Sequence, residues 1–567
     1  MPTFSRRLAL AAALLAPAAL LPARARAQTN PAVAVAVDVK AHRHPISPLI
    51  YGLCYPGTAL TDLRCPIARL GGNNITRYNW QLNADNKGND YFFESFADPN
   101  ATPGERGDTF IAANRAAHAQ SMLTIPLIDW VANVGANRAP LASFPRSLYP
   151  HQKDFDKYPP TGGNGIYQND PNHADGTLIT DNAPSLANVP NSLALQGAWV
   201  QHLKSTWGTA VAGGVRYYLM DNESGIWHGT HRDVHPQGAS MDEMWAKFKT
   251  YGEMIKRNDP TAKIVGPEEW GWTGYLYSGR DAQWGPANGY NFAAAPDRST
   301  HGGLDYIPWL LKQYAAYEKT TGKRLLDVLS VHFYPQGGEF DAKDPTTPAL
   351  LAKRNRSTRA LWDPAYKDET WINDYVKLAP RLKDWVAQYY PGTQIALTEY
   401  NWGAEGHMNG ATAQADIWGI LGREGVDIAT RWTTPAPGSP AYQSLLMYRK
   451  YDGKKGSFGD TSVSAVAPNA DVLSAFAAQN SATGALTIMI VSKAASGTTP
   501  VTVKVANFGA EAAAQVYQLA AIKPADQTAA AIRHLPEAAV ANGTVSLTVP
   551  SPSVTLLILA PSPRNRQ

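Results

Sequence analysis

The stretch Tyr217-Tyr218-Leu219-Met220-Asp221-Asn222-Glu223 runs through four apolar residues and ends on a carboxamide and a carboxylate. An apolar run without polar alternation marks a strand buried on both faces, as in a parallel sheet. Similar runs occur at 49–53, 68–70, 123–127, 264–266, Val328–Phe333, 395–398 and 428–432. Between them lie amphipathic stretches at 241–257, 307–320 and 371–389, with apolar residues three and four positions apart. Strands separated by helical crossovers predict an α/β fold, a parallel (β/α)8 TIM-like barrel over 46–460.

After Asp460 the texture changes. Ala/Val/Thr-rich segments at Leu486–Ser492, 501–506 and 545–559 are punctuated by Gly, Pro and Ser, which predicts a C-terminal β-sandwich over 461–562. The alternating run at 32–39, within 28–45, has the same character and is expected to give that sandwich an N-terminal strand. Residues 145–195, rich in Pro, Asn, Asp and Gly, predict a long loop on the barrel, where such loops shape a binding cleft.

Composition narrows the function. With 51 basic and 47 acidic residues among 567, the formal charge of +4 argues against a nucleic-acid binder, which needs a concentrated basic stripe. Sixteen Trp and 26 Tyr outnumber 14 Phe, so polar-edged aromatics dominate, the kind that stack on sugars or fill large cores. Residues 1–27 join Arg6-Arg7, an apolar run at 8–21 and Ala25-Arg26-Ala27, which predicts an export signal, twin-arginine or general secretory. The rest of the chain is then a soluble exported monomer, periplasmic or extracellular, with no membrane partner. Cys54 and Cys65 either form a disulfide in that oxidising setting or stay as two buried thiols.

In a barrel of this kind chemistry sits where strands end. The fourth strand ends on Glu223, and the seventh runs Ile395-Ala396-Leu397-Thr398 into Glu399. The two glutamates would face each other across the mouth. Hydrolysis of a glycosidic bond uses such a pair: an acid for the leaving oxygen, and a carboxylate that attacks the anomeric carbon or activates water. An Asn beside the acid, here Asn222, suits the sugar 2-hydroxyl. Other groupings are weaker. His228, His231 and His235 lie close enough in sequence to suggest a metal, but lack an obvious fourth ligand. Glu268-Glu269 is a rival acid pair of which at most one member can face Glu223. Asp154, Asp156, Asp170 and Asp175 suggest Ca2+, without the spacing of a known loop.

Several longer segments resemble glycoside hydrolase family 44, a group of retaining endo-β-glucanases and xyloglucanases built as a barrel with a β-sandwich. They are RLGGNNITRYNWQLNADNKGND (69–90), YYLMDNESGIWHGTHRDVHP (217–236), IKRNDPTAKIVGPEEWGW (255–272), LLDVLSVHFYPQ (325–336), ALTEYNWG (396–403) and MYRKYDGKKGSFGD (447–460). The resemblance implies Glu223 as acid/base and Glu399 as nucleophile, with carboxyl groups about 5–5.5 Å apart. It implies Asn222 beside the cleaved bond and His332 and Tyr334 on the site floor. Trp80, Trp227, Trp272 and Trp402 become either stacking platforms or rim packing, and Arg69 and Asn73 either touch substrate or brace the second strand's exit. The implied partner is a β-1,4-glucan, with no cofactor and no metal. Mannan or xylan hydrolysis on the same scaffold, and glycan binding without turnover, are the alternatives. Ser224 departs from the Pro that usually follows the acid/base. Ser frees φ and restores an N–H, which is expected to loosen that turn while activity survives.

Overall fold

The computed structural model describes residues 28–341 and 345–562, so the expected signal at 1–27 lies outside the described residues. Among the described residues eight parallel strands close a barrel. In chain order they are Gly52–Cys54, Ile67–Leu70, Gln120–Ile125, Tyr217–Met220, Lys263–Glu269, Val328–Phe333, Gln394–Tyr400 and Ile428–Arg431. The predicted α/β barrel is therefore present. Leu49 is an exception: it belongs to a 3-10 turn, Pro48–Tyr51, because Pro48 and the Ser47 side chain favour a turn there.

Inside the barrel Ile67, Met122, Tyr217, Leu219, Val265, Val328, Ala396 and Ile428 form one apolar cluster. Strand side chains alternate, so Tyr218 and Met220 point outward and join the larger core under the helices. The helix Met241–Asn258 shows how that outer layer is built. Ser240 caps its first turn by accepting from the Glu243 amide at 3.2 Å, and Met241, Met244, Phe248, Tyr251 and Ile255 bury one face. Burial of Phe248 alone contributes about 2–3 kcal/mol, and Phe248→Ala would cost about 3–5 kcal/mol. The helical reading at 371–389 is too long: the helix begins at Leu378. Asp368 and Thr370 form side-chain turns upstream, accepting from the amides of Thr370 at 2.9 Å and Ile372 at 3.3 Å.

The C-terminal region is a mixed ten-stranded sheet that folds over its own apolar core. The N-terminal strand Val33–Asp38 runs parallel to Thr498–Ala506 and antiparallel to Thr461–Val466, joining the sheet's two ends. Between barrel and sheet lies the helix Met408–Arg423, buried on every side, with Asp416 paired to Lys493 at 2.6 Å. Cys54 and Cys65 are both buried and free, so the disulfide reading fails and the two-thiol reading holds. The long loop after residue 145 carries short pairings of its own, such as Gln152 with Tyr167 and Phe155 with Gly163, and its Asn188–Pro190 pairs with Trp130–Ala132 upstream. No helix among the described residues is long and apolar enough to cross a membrane.

Candidate active site

Backbone irregularities aim the acidic side chains. The fourth strand ends at Met220, and both Asp221 (φ 67°) and Glu223 (φ 49°) then take left-handed conformations. Asp221 pays for its burial by bonding: it accepts from Thr76 Oγ1 at 2.5 Å and from the amides of Asn222 and Ile128 at 2.8 and 3.0 Å. Burial still pushes its carboxyl up to about 6. In the fifth strand Glu268 (φ 60°) is an extra residue, since Pro267 faces Ser330 and Glu269 faces Val331. Thr398 is extra in the seventh strand, as Val331 faces Leu397 and His332 faces Glu399. Bulges of this type re-aim side chains near functional sites.

The result is a ring of charge at the barrel mouth. His332 Nδ1 lies 2.8 Å from Glu223 Oε1 and 3.6 Å from Glu399 Oε2. Arg69 donates Nη1 to Glu399 Oε1 at 2.6 Å, and Nη2 to Asn222 Oδ1 at 2.9 Å and Glu268 Oε2 at 3.0 Å. Tyr334 donates its hydroxyl to Glu399 Oε2 at 2.9 Å. One oxygen each from Glu223 and Glu399 and the His332 nitrogen all lie within 4.8 Å of one another.

Electrostatics separate the two glutamates' surroundings. Burial raises the Glu223 carboxyl, outweighing the bond and positive charge of His332. Burial opposes charge on His332, but Glu399 and the bonds to Glu223 and Glu268 raise it to about 10, so it is an imidazolium. Glu399 is held by a guanidinium and a phenol. This is the division a general acid and an anionic nucleophile need. The triad Glu223, His332 and Glu399 has a spacing a cation could use, but Arg69 and protonated His332 already supply two positive charges there.

Of the sequence-predicted residues, Arg69, Asn222, His332, Tyr334, Glu223 and Glu399 come together. Asn73 joins them at one remove, accepting from Asn222 Nδ2 at 3.0 Å and donating to Asp90 at 3.1 Å. Of the four tryptophans three are buried, and the fourth, Trp80, is partly buried. Trp227 is fully buried and donates to the Asn222 carbonyl at 3.0 Å, bracing the turn from beneath. Trp272 is buried with Arg381 over its ring, and Trp402 is buried with its N–H on Ser357 at 3.0 Å. Trp80 lies against His202 and donates to the Leu195 carbonyl at 2.9 Å.

Other aromatics were missed. Trp432, directly after the eighth strand, is partly exposed with its ring 5.6 Å from Tyr55. An aromatic at a barrel strand's end was a usable signal. Trp371 is 55% exposed and donates to Gln336, whose amide reaches the Tyr334 carbonyl at 2.9 Å, while Phe340 lies 5.1 Å from the Tyr334 ring. Only the loop fold brings these together, so sequence spacing gave no sign of them.

Ser224 does not loosen its turn. Its hydroxyl donates to Glu269 Oε1 at 2.8 Å, tying the residue after Glu223 to the fifth strand. Glu269 is fully buried, and burial pushes its carboxyl up to about 8. Gly225 and Gly274 make room for it, since a Cβ at either would sit 2.6 Å from Oε2. The histidines of the 228–235 segment serve structure: His231 is buried beside Arg77, and His235 bonds Glu243 at 2.9 Å. They form no metal-spaced group among the described residues. The loop aspartates brace turns; Asp170 accepts from the Asn172 amide at 2.9 Å and Asp175 from the Asn169 amide at 2.7 Å.

The family model of glycoside hydrolase family 44 matches residues 84–337. The chain is 54% identical to CelM2, a bifunctional glucanase-xylanase protein from a metagenome library, whose crystal structure it matches at a TM-score of 0.90, covering 94% of this chain and 100% of that one. Endoglucanase A of Paenibacillus lautus is 30% identical over 469 residues, 78% of this chain and 61% of that protein. Beta-mannanase/endoglucanase A of Caldicellulosiruptor saccharolyticus is 28% identical over 490 residues, 79% of this chain and 33% of that protein. The chain thus spans a third to three-fifths of the length of these two curated relatives.

Proposed function

The chain belongs to glycoside hydrolase family 44, and on that premise we propose that it is a retaining endo-hydrolase of β-1,4-glucans, cellulose-type or xyloglucan. Glu399 is the nucleophile and Glu223 the acid/base. In the first step the Glu399 carboxylate attacks the anomeric carbon while Glu223 passes its proton to the departing oxygen. The C–O bond breaks and a glycosyl ester forms on Glu399. In the second step Glu223, now a carboxylate, takes a proton from water, whose oxygen displaces Glu399.

The observation that carries this reading is the approach of the two carboxylates to within 4.8 Å through their nearest oxygens. That leaves no room for the water an inverting enzyme places between groups about 6.5–9.5 Å apart. Asn222 suits the 2-hydroxyl, with its side chain fixed by Arg69 and Asn73. Trp432 with Tyr55, and the exposed Trp371, are the aromatics we assign to sugar stacking in place of Trp80, Trp227, Trp272 and Trp402.

We also propose export by the 1–27 signal, action as a monomer outside the cytoplasm, and division of the remaining chain into the barrel, 46–460, and the sandwich, 461–562, joined by a strand from 28–45. The names of two relatives include xylanase and mannanase activity, which makes xylan and mannan the second reading.

The test is product release from carboxymethylcellulose, xyloglucan, mixed-linkage glucan, glucomannan and xylan, with Glu223→Gln as control. Oligosaccharides from a glucan backbone, lost in the variant, are expected. Release from xylan or mannan alone favours the second reading. Folded protein that binds the panel and cleaves none of it would overturn the enzymatic reading.

A further inference from the structure

Glu268 reaches neither the surface nor any position a sugar could touch, yet it bonds to the partners of both glutamates. It is fully buried, and it is the extra residue of the fifth-strand bulge. Its Oε2 accepts from Arg69 Nη2 at 3.0 Å and from His332 Nε2 at 3.2 Å, and its Oε1 accepts from Thr398 Oγ1 at 2.9 Å. Arg69 in turn holds Glu399 at 2.6 Å, and His332 holds Glu223 at 2.8 Å. Thr398 is the residue before Glu399 and the extra residue of the seventh-strand bulge. One carboxylate thereby ties together the cation behind the acid, the cation behind the nucleophile and the bulge that aims the nucleophile.

We propose that Glu268 is a positioning residue that fixes Arg69 and His332 in their paired geometry, so that one aims at Glu399 and the other at Glu223 throughout the reaction. This rests on the assignment of Glu223 and Glu399 as the reacting pair.

Charge balance supports the same role. Arg69 and His332 carry two positive charges; Glu268 and Glu399 carry two negative ones, so the cluster is neutral when Glu223 holds its proton. Burial works to raise Glu268, but the charge of Arg69 and the bond and charge of His332 outweigh it and hold the carboxyl below its ordinary range. Of the other groups around the cluster, the Asp90 carboxyl lies behind Asn73 and is raised by burial and by the Glu399 charge, and three more are neutral. The Cys54 thiol is pushed up to about 12 by burial, Tyr334 stays a phenol, and Glu269 behind the fifth strand is protonated below about 8. Without Glu268 the cluster carries an excess positive charge, Glu223 releases its proton more readily, and His332 loses the bond that orients its far nitrogen.

The test compares wild type, Glu268→Gln, Glu268→Asp and Glu223→Gln on uncharged hydroxyethylcellulose, with the pH profile of kcat/KM as the main readout. Glu268→Gln is expected to lower kcat by about 10- to 100-fold with little change in KM. Its alkaline limb should move to lower pH by about one unit, the usual effect of removing a charge a few ångströms away. Glu268→Asp keeps the charge and should restore the limb even at a reduced rate. A Glu268→Gln profile that scales down without moving overturns the proposal, and so does a displaced limb in Glu268→Asp. If Glu268→Gln does not fold, a wild-type limb in Glu268→Asp supports the proposal and a displaced one rejects it. Full activity in Glu223→Gln, or a silent wild type, would instead remove the reading of the reacting pair on which the proposal stands.

Discussion

Replacing Glu269 with Gln should stabilise this protein, and by an amount that depends on pH in a calculable way. Glu269 is fully buried, and its carboxyl rises from an ordinary 4.5 to about 8 through burial, with the Glu223 charge adding to the effect. In the unfolded chain the group ionises near 4.5; in the folded chain it keeps its proton until about 8. The folded state therefore binds the proton more tightly, and stability falls as pH rises between those values. At about 1.4 kcal/mol per pH unit the loss reaches about 3 kcal/mol at pH 7 and about 5 kcal/mol above pH 8. Gln keeps the volume and an oxygen for the Ser224 hydroxyl, and has no proton to lose. Urea unfolding of both proteins at half-unit steps from pH 4 to 8.5 should give curves that run together at the acid end and separate steadily above pH 4.5. Parallel curves across that range would refute the reasoning, because they would mean Glu269 ionises alike in both states. The penalty has a structural return. Ser224 stands where Pro would otherwise stiffen the turn, and its bond to Glu269 at 2.8 Å supplies the stiffness instead.

Three other outcomes follow from the same contacts. Tyr334→Phe removes one hydrogen bond to an ionised carboxylate, of about 1.5–3 kcal/mol, and should lower kcat by about 10- to 100-fold without altering thermal stability beyond a few degrees; an unchanged kcat would show that the bond plays no part in the reaction. Trp371→Ala should raise KM on long oligosaccharides by about tenfold and leave kcat alone, whereas Trp80→Ala should leave KM unchanged; initial-rate kinetics of the two variants separate these cases. Trp227→Ala leaves a cavity under the Glu223 turn and should cost about 3–5 kcal/mol of stability by denaturant titration, against almost nothing if the ring were a surface platform.

The barrel was legible because parallel strands are buried on both faces and must be apolar throughout, as in Val328–Phe333. Glu223 and Glu399 were legible for the converse reason, a carboxylate placed directly after such a run. The bulges were not. Nothing in Gly266-Pro267-Glu268-Glu269 announces which glutamate turns inward, and that depends on Glu268 adopting φ 60°. The tryptophans misled for a related reason. Trp227 follows Glu223 closely, but the 3-10 turn Ser224–Ile226 carries its ring under the site. Trp371 was absorbed into a helical pattern whose first part is side-chain-stabilised turns, so its exposure and its approach to Gln336 depend on tertiary placement. Ser224 looked like a loss of rigidity because its partner, Glu269, lies 45 residues away in the chain.

The central claim is that Glu399 bonds to the sugar. A 2-deoxy-2-fluoro cellobioside with a good leaving group slows both steps by destabilising positive charge at the anomeric carbon, while the leaving group keeps the first step fast enough to trap the ester. After incubation and peptic digestion, mass spectrometry should find one labelled peptide carrying the fluoroglycosyl group on Glu399, with inactivation in step with labelling. Time-dependent inactivation with the label on another carboxylate, Glu268 included, would contradict the account.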